Sequence, residues 1–339
     1  RTAIGIDVGG TSIKAVALDA GGQLLHRLTV PTHDGAAQPW KTSVQQLVRQ
    51  LQGYMQPGFI IGISAPGLPD PANKAIAFMP GRMQGLEGWV WQDFLQQSAF
   101  VINDAVAALL SEVRLGAARD ARHAVMVTLG TGVGGAILID GKPYQGAFAK
   151  AGHIGHMVID EQGECDITGI PGSLEDCIGN CTVEKRSGGR FTSTHALLEA
   201  YRTGDDFAAS VWLRSVKQLA IGLASLTNIL SPDTIIIGGG IAEAGTDLFD
   251  PLQQYLQQYE WRPGGQYANI VKATGGEFSG ALGAAFGFLN VAQVVTLYAL
   301  VFGIIGGGDL GHFTSLLLSH GYHWGWESRL CAVGLAWCS

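Results

Sequence analysis

The alternation of apolar and polar positions is clearest near the N-terminus. Residues 3–8 and 13–18 read as two β-strands joined by a tight turn, and 24–30 continues them as a third strand. The turn carries Asp7, Gly9, Gly10 and Thr11. The layout returns about 120 residues later, where 123–129 and 135–139 read as strands around Gly130, Thr131 and Gly132. Such an echo predicts a duplicated unit with two comparable halves.

The rest of the chain alternates between strand and helix. Residues 41–52 have helical periodicity, with Leu47 and Leu51 on one face. Residues 59–64 form a short apolar strand that runs into a rigid loop containing Pro66, Gly67 and Pro69. Residues 70–91 read as irregular, and 100–102 as a strand that stops at Asn103 and Asp104, where a helix over 105–115 begins. Past the second hairpin, 141–143 is a turn, 157–159 a strand, 161–173 a loop and 174–184 a helix. Helices over 195–201, 206–230 and 248–259 alternate with strands over 234–237 and 270–273. A closing helix over 280–289 has a small-residue face of Ala281, Ala284 and Ala285. This order predicts an α/β protein of two lobes around a cleft: 1–115, 116–278, a closing helix over 279–290, and a tail over 291–339.

Composition narrows the function. The 339 residues can bury a large core. Net charge is −7, with no run of five basic residues, which argues against nucleic acid as a partner. The first strand begins almost at Arg1, so no DNA-binding module is expected before it. Five cysteines, at 165, 177, 181, 331 and 338, do not form a disulfide framework, and no signal peptide is evident; a cytoplasmic protein is expected. No charged residue falls between Ala281 and Gly308. Residues 291–305 alone are too short to span a membrane comfortably, so a soluble protein with an apolar appendage is expected.

The candidate chemistry lies in the turns. Glycine-rich turns offer a concave array of N–H donors that suits phosphate oxygens. Asp7 would repel phosphate unless a divalent cation or its water shell lay between them. A tight hairpin with an acid in its turn fits the same residues. Asp104 follows a strand end and can accept a proton from a hydroxyl that attacks phosphorus; it can equally cap the helix. His153 and His156 lie three apart among glycines, and spacing fixes no third metal ligand beside them. Cys177 and Cys181 are one helical turn apart and suit a packed core. Glu175 starts a helix, where it favours the positive dipole end or binds sugar hydroxyls. Gly238, Gly239 and Gly240 follow a buried strand and permit close approach by an adenine and ribose.

These motifs together resemble the ROK family of bacterial sugar kinases and repressors, in order from Ile4 to Leu289. Asp7-Val8-Gly9-Gly10-Thr11 looks like the family's first phosphate motif, Ile102-Asn103-Asp104-Ala105 like its catalytic Asn-Asp, and Leu129 to Gly135 like its second phosphate loop. Gly152 to His156 and Gly172 to Glu175 sit where its sugar and zinc motifs fall. The resemblance implies an actin-like, ribonuclease H-like fold with a central cleft. It implies glucokinase-like phosphorylation of a hexose or hexose derivative, with ATP and Mg2+, by a homodimer. Asp104 would be the base. Asn103, Gly67, His153, His156 and Glu175 would contact sugar. Asp7, Gly9, Gly10, Thr11, Lys14, Gly130, Thr131, Gly132, Gly238, Gly239 and Gly240 would bind the nucleotide, Asp7 reaching magnesium through water.

Three departures bear on the resemblance. The family commonly carries Cys-x-Cys-Gly-x-x-Gly-Cys-x-Glu, whose cysteines join a histidine, here His156, at a structural zinc. The matching stretch runs from Asp166 to Glu175 and holds Asp166, Thr168 and Ser173 at the cysteine positions. Hydroxyls are poor zinc ligands, so no zinc is expected, and hydrogen bonds from Thr168 and Ser173 must hold the loop. His153 stands where many members have Glu, a form similar to N-acetylmannosamine kinases, which makes an N-acetylhexosamine an alternative substrate. Pro80-Gly81 replaces a Pro-Asn sugar contact, leaving Arg82, Gln84 or Glu87 to substitute. A non-catalytic sugar-sensing protein of the family is the third reading.

Overall fold

The computed structural model describes residues 1–289 other than 34, 36 and 80–82. The Pro80-Gly81-Arg82 departure and the tail over 291–339 lie outside the described residues. In chain order the strands are β1 (Ala3–Val8), β2 (Ser12–Leu18), β3 (Leu24–Pro31), β4 (Ile60–Ala65), β5 (Leu68–Pro69), β6 (Ile76–Phe78) and β7 (Ala99–Asn103). They continue as β8 (Ala124–Leu129), β9 (Val133–Ile139), β10 (Lys142–Tyr144), β11 (Thr234–Gly238) and β12 (Asn269–Lys272). The helices are α1 (Pro39–Gln52), α2 (Trp91–Leu95), α3 (Asp104–Leu115), α4 (Leu174–Ile178) and α5 (Val183–Arg186). Then come α6 (Thr194–Arg202), α7 (Asp206–Leu230), α8 (Thr246–Tyr259) and α9 over 279–289.

Two five-stranded sheets share one plan. The first has the order β3-β2-β1-β4-β7 and the second β10-β9-β8-β11-β12. In each, an antiparallel hairpin leads into parallel strands on its far side. The sequence echo is therefore a repeat of topology. The central strands are buried almost throughout, as their apolar runs require.

Four apolar clusters among the described residues hold this plan together, the smallest packing Ala281 and Ala285 of α9 against Val16 and Leu18. One packs Trp40, Leu47 and Trp91 on the first sheet, and a second packs Trp212, Leu219 and Leu248 on the other. The third lies between the sheets and joins Ile102 and Leu109 to Met126, Ile236 and Phe288. Helix α9 reaches the first sheet at van der Waals range because two strand positions have no side chain. A Cβ on Gly5 would lie 1.9 Å from the Ala281 carbonyl oxygen, and one on Gly62 2.0 Å from that of Ala284.

The chain passes between the sheets after α3 and again after β12, and one buried carboxylate binds both passages. Glu112, in α3, accepts hydrogen bonds from the Ala117 amide at 2.7 Å, the Thr274 amide at 2.8 Å and the Thr274 hydroxyl at 3.1 Å, with the Gly275 amide as a further donor.

Several local expectations are corrected. Residues 157–159 form no strand; the Ile159 and Asp160 amides both donate to the Gly172 carbonyl, and only an isolated bridge joins Val158 to Ser173. The expected 174–184 helix breaks at Gly179 into α4, a 3-10 turn over Asn180–Thr182, and α5. Cys177 and Cys181 consequently share no helix, one being buried and the other exposed. Residues 70–91 include β6, which pairs with β5, and the 141–143 turn contains the start of β10. Among the described residues no helix is long and apolar enough to cross a membrane.

Candidate active site

The carboxyl ends of β1, β4 and β7 lie side by side. The register pairs Asp7 with Ser64, and Ser64 with Ile102, just before Asn103 and Asp104. Side chains at such strand ends face the crevice of an open α/β sheet. The Ser64 hydroxyl donates to Asp7 at 2.7 Å. Burial raises the Asp7 carboxyl, against the opposing effects of Ser64 and the Lys14 charge. Lys14 is the cross-strand partner of Asp7 and also lies 3.7 Å from Glu277.

The helix cap falls on Asn103, not Asp104. Asn103 has extended backbone and its side-chain oxygen accepts from the Ala105 amide at 2.9 Å, while Asp104 begins α3. The strand end at Asn103 supplies the extended geometry that a cap needs. Asn103 also donates to the Gly67 carbonyl at 3.1 Å, where Gly67 has a φ of +100°. Both residues thus brace the floor of the site. Asp104 keeps solvent-exposed surface, while the protein packed beside it desolvates its carboxyl. Burial, with the Asp7 charge second, pushes its carboxyl up to about 6.

The first Gly/Thr turn is fastened from β3. Thr32 donates its amide to the Thr11 carbonyl at 2.9 Å and its hydroxyl to the Gly9 carbonyl at 2.6 Å. A Cβ on Gly10 would meet nothing within 4 Å, which leaves room for a ligand.

The second turn is fastened from α4 and the 3-10 turn after it. The Asn180 and Cys181 amides donate to the Gly130 and Thr131 carbonyls, each at 2.9 Å. This explains the helix break at Gly179: the amides that would continue α4 serve the turn instead. Glu175 accepts from the Val133 amide at 2.9 Å, and a Cβ on Gly132 would lie 2.2 Å from the same carboxylate. The glycine triplet abuts this turn, with Gly239 at a φ of +85° against the Leu129 backbone. Gly238 ends β11, and Gly240 has open space where a Cβ would stand.

The start of β9 is where these parts meet. A Cβ on Gly134 would sit 3.8 Å from that of Ala105, next to Asp104. A Cβ on Gly155 would sit 2.1 Å from the Val133 carbonyl oxygen, so the histidine turn packs there too. His153 is half-buried and His156 exposed, with their rings stacked at 6.5 Å between centroids. Burial, then the neighbouring His156, lowers His153 and favours its neutral ring.

The 161–173 loop is held through Asp166, to which the Thr168 hydroxyl donates as expected, while the Ser173 hydroxyl accepts from the Asp176 amide. Asp166 accepts from the Thr168 amide at 2.8 Å, the Thr168 hydroxyl at 2.7 Å and the Ile170 amide at 3.0 Å. Burial alone would raise this carboxyl. The Thr168 and Ser173 hydroxyls and the Ile170 and Thr168 amides outweigh it and hold the group well below the usual carboxylate range. Its other oxygen lies 3.7 Å from His156 Nδ1. Among the described residues no three His, Cys, Asp or Glu side chains are grouped to hold a metal ion. Asp7, its carboxyl raised by burial beside Ser64 and Lys14, would reach a phosphate-bound magnesium through water.

Sequence reasoning passed over Thr32 and Ser64, and met Asp166 only as the residue at the first cysteine position. Ser64 carried a signal, as a hydroxyl in an apolar strand.

The chain is similar to known sugar kinases in sequence and in fold. The glucokinase of Halalkalibacterium halodurans is 29% identical over 318 residues, covering 84% of this chain and 94% of that protein. The N-acetylmannosamine kinase of Vibrio cholerae is 29% identical over 298 residues, covering 84% and 98%. The solved structure of a ROK family glucokinase from Streptomyces griseus with glucose and AMPPNP superposes with a TM-score of 0.68 at 26% identity, covering 84% of this chain and 98% of that one. The family model for ROK matches residues 3–290, nearly the whole described structure, and the chain belongs to the ROK family.

Proposed function

We propose that this chain, a carbohydrate kinase, transfers the terminal phosphoryl group of ATP to a hydroxyl of a hexose or hexose derivative, with Asp104 as general base. The observation that carries this reading is Asp104 itself. It starts a helix at a strand end, burial and the Asp7 charge push its carboxyl up to about 6, and it adjoins the hairpin of the second Gly/Thr turn. In the step, the sugar hydroxyl gives its proton to the Asp104 carboxylate as its oxygen attacks the γ-phosphorus. The bond from that phosphorus to the β–γ bridging oxygen breaks, and ADP leaves. A carboxylate near 6 is ionised at neutral pH and still basic enough to take the proton.

The two turns hold the nucleotide through backbone amides, and Gly10 and Gly240 leave room for it. Asp7 would reach a phosphate-bound magnesium through water, and that ion would supply charge neutralisation. His153, His156 and Glu175 lie on the sugar side, with Asn103 and Gly67 as the floor beneath. The glucokinase and N-acetylmannosamine kinase relatives support a sugar acceptor, and the AMPPNP complex supports ATP.

A second reading takes an N-acetylhexosamine as acceptor, on the strength of His153. A neutral imidazole offers one donor and one acceptor, which matches an acetamido group as well as a hydroxyl. A coupled ADP-release assay over hexoses and N-acetylhexosamines decides between the acceptors. Asp104→Asn should lower kcat about a thousandfold on the preferred sugar. Sugar binding without turnover on any acceptor would overturn the kinase reading in favour of a sensor.

A further inference from the structure

The four positions matched to the family's zinc ligands do converge, but on a carboxylate. Asp166 has a side chain that is 0% exposed. Thr168 donates to it twice, from amide and hydroxyl, and the Ile170 amide donates as well. Ser173, at the start of α4 two residues before Glu175, sets its hydroxyl near the carboxyl and helps hold it down. The second oxygen is buried without a hydrogen-bond partner and faces His156. The backbone closes the same ring: the Asp166 amide donates to the Ile170 carbonyl at 2.8 Å, and Gly169 donates back to Asp166 at 3.0 Å.

The chemistry of such a centre is inverted relative to a zinc site. A cation gathers electron-pair donors such as thiolates. An anion gathers N–H and O–H donors, and those are what Thr168, Ile170 and Ser173 present. A metal does not fit here, because hydroxyls ligate zinc poorly and one Asp166 oxygen already accepts three hydrogen bonds. The stacked histidines tie the centre to the proposed sugar side.

We propose that Asp166 is a positioning residue, a metal-free clasp that orders the 161–173 loop and sets the orientation of His156 toward the sugar. The assignment of His156 to sugar rests on the kinase reading above; the ordering of the loop does not. Asp166 touches neither substrate in this account and acts through His156 and through Ser173.

Two variants in the full chain separate these roles. Asp166→Asn keeps an accepting oxygen for Thr168 and Ile170 but removes the charge facing His156. It should keep amide exchange protection at Thr168 and Ile170 and raise the sugar KM about tenfold, leaving the ATP KM unchanged. Asp166→Ala should lose that protection as well, while α7 stays protected. His156→Ala should match the sugar effect of Asp166→Asn and keep the loop protected. The wild-type chain should carry zinc far below stoichiometry and keep its activity and loop protection against a zinc-selective chelator. Stoichiometric zinc that falls in Asp166→Ala would overturn the clasp. So would unchanged loop protection in Asp166→Ala, or equal losses in sugar KM and ATP KM in Asp166→Asn. If Asp166→Ala does not fold, Asp166→Asn decides the matter. Exchange protection needs no turnover, so it tests the clasp even if the chain phosphorylates no sugar.

Discussion

The turn after β1 and the turn after β8 hold the same place in sheets of the same strand order, yet they are built differently. The first is braced by one residue, Thr32, and sits beside a carboxylate, Asp7. The second has Thr128 where the first has Asp7, so it carries no charge of its own. It is braced more heavily, by Asn180, Cys181 and Glu175. The topology is repeated, but the first hairpin closes over four residues and the second over three, and their side chains differ. On the proposed function, one turn brings a charge to the phosphates, and the other brings backbone donors in a more heavily braced frame.

Breaking the charged side should have the largest effect. Asp7→Ala is expected to lower kcat about a hundredfold while sugar affinity stays near wild type. Steady-state kinetics with sugar-binding calorimetry checks this, and an equal loss of sugar affinity would remove the distinction between the turns. Breaking the stiff side should act through structure as well as ligand. Gly132→Ala drives a methyl group into Glu175 and is expected to cost roughly 1–3 kcal/mol of stability, with kcat/KM for ATP down about tenfold. Gly10→Ala meets open space and should leave the melting temperature unchanged while weakening ATP. Thermal melts of the two variants side by side read out the contrast.

The mildest probe is pH. Asp104 must be ionised to act, and its carboxyl is raised to about 6, so kcat/KM should fall as pH drops through that value. The Asp7 charge is the second cause of that shift after burial. Removing it with Asp7→Ala should therefore move the acid limb to lower pH. A limb that stays in place would mean that the two carboxylates do not sense one another.

Much of this was legible in the sequence because it was local. Hairpins show as alternating strands around Gly/Thr turns, and the order of elements gave the two-lobe plan. Asp104 stood out at a strand end, although Asn103 and Asp104 both suit a cap, and only the end of β7 decides between them. The helix break at Gly179 was not legible. Nothing in 174–184 signals that two of its amides belong to a turn some fifty residues earlier in the chain. Asp166 was hidden for the same reason. An acid in a polar loop reads as solvated, and its burial depends on Thr168, Ser173 and His156 closing around it.

Glu112 gives the lobes a mechanical character. Each strand of chain that leaves one sheet for the other passes this side chain and is tied to it, Ala117 on the way out and Thr274 and Gly275 on the way back. The apolar cluster between the sheets, with Ile102 and Leu109 against Met126 and Ile236, backs this one carboxylate at the junction. Truncating Glu112 would strand four donors at once, on both crossings of the chain.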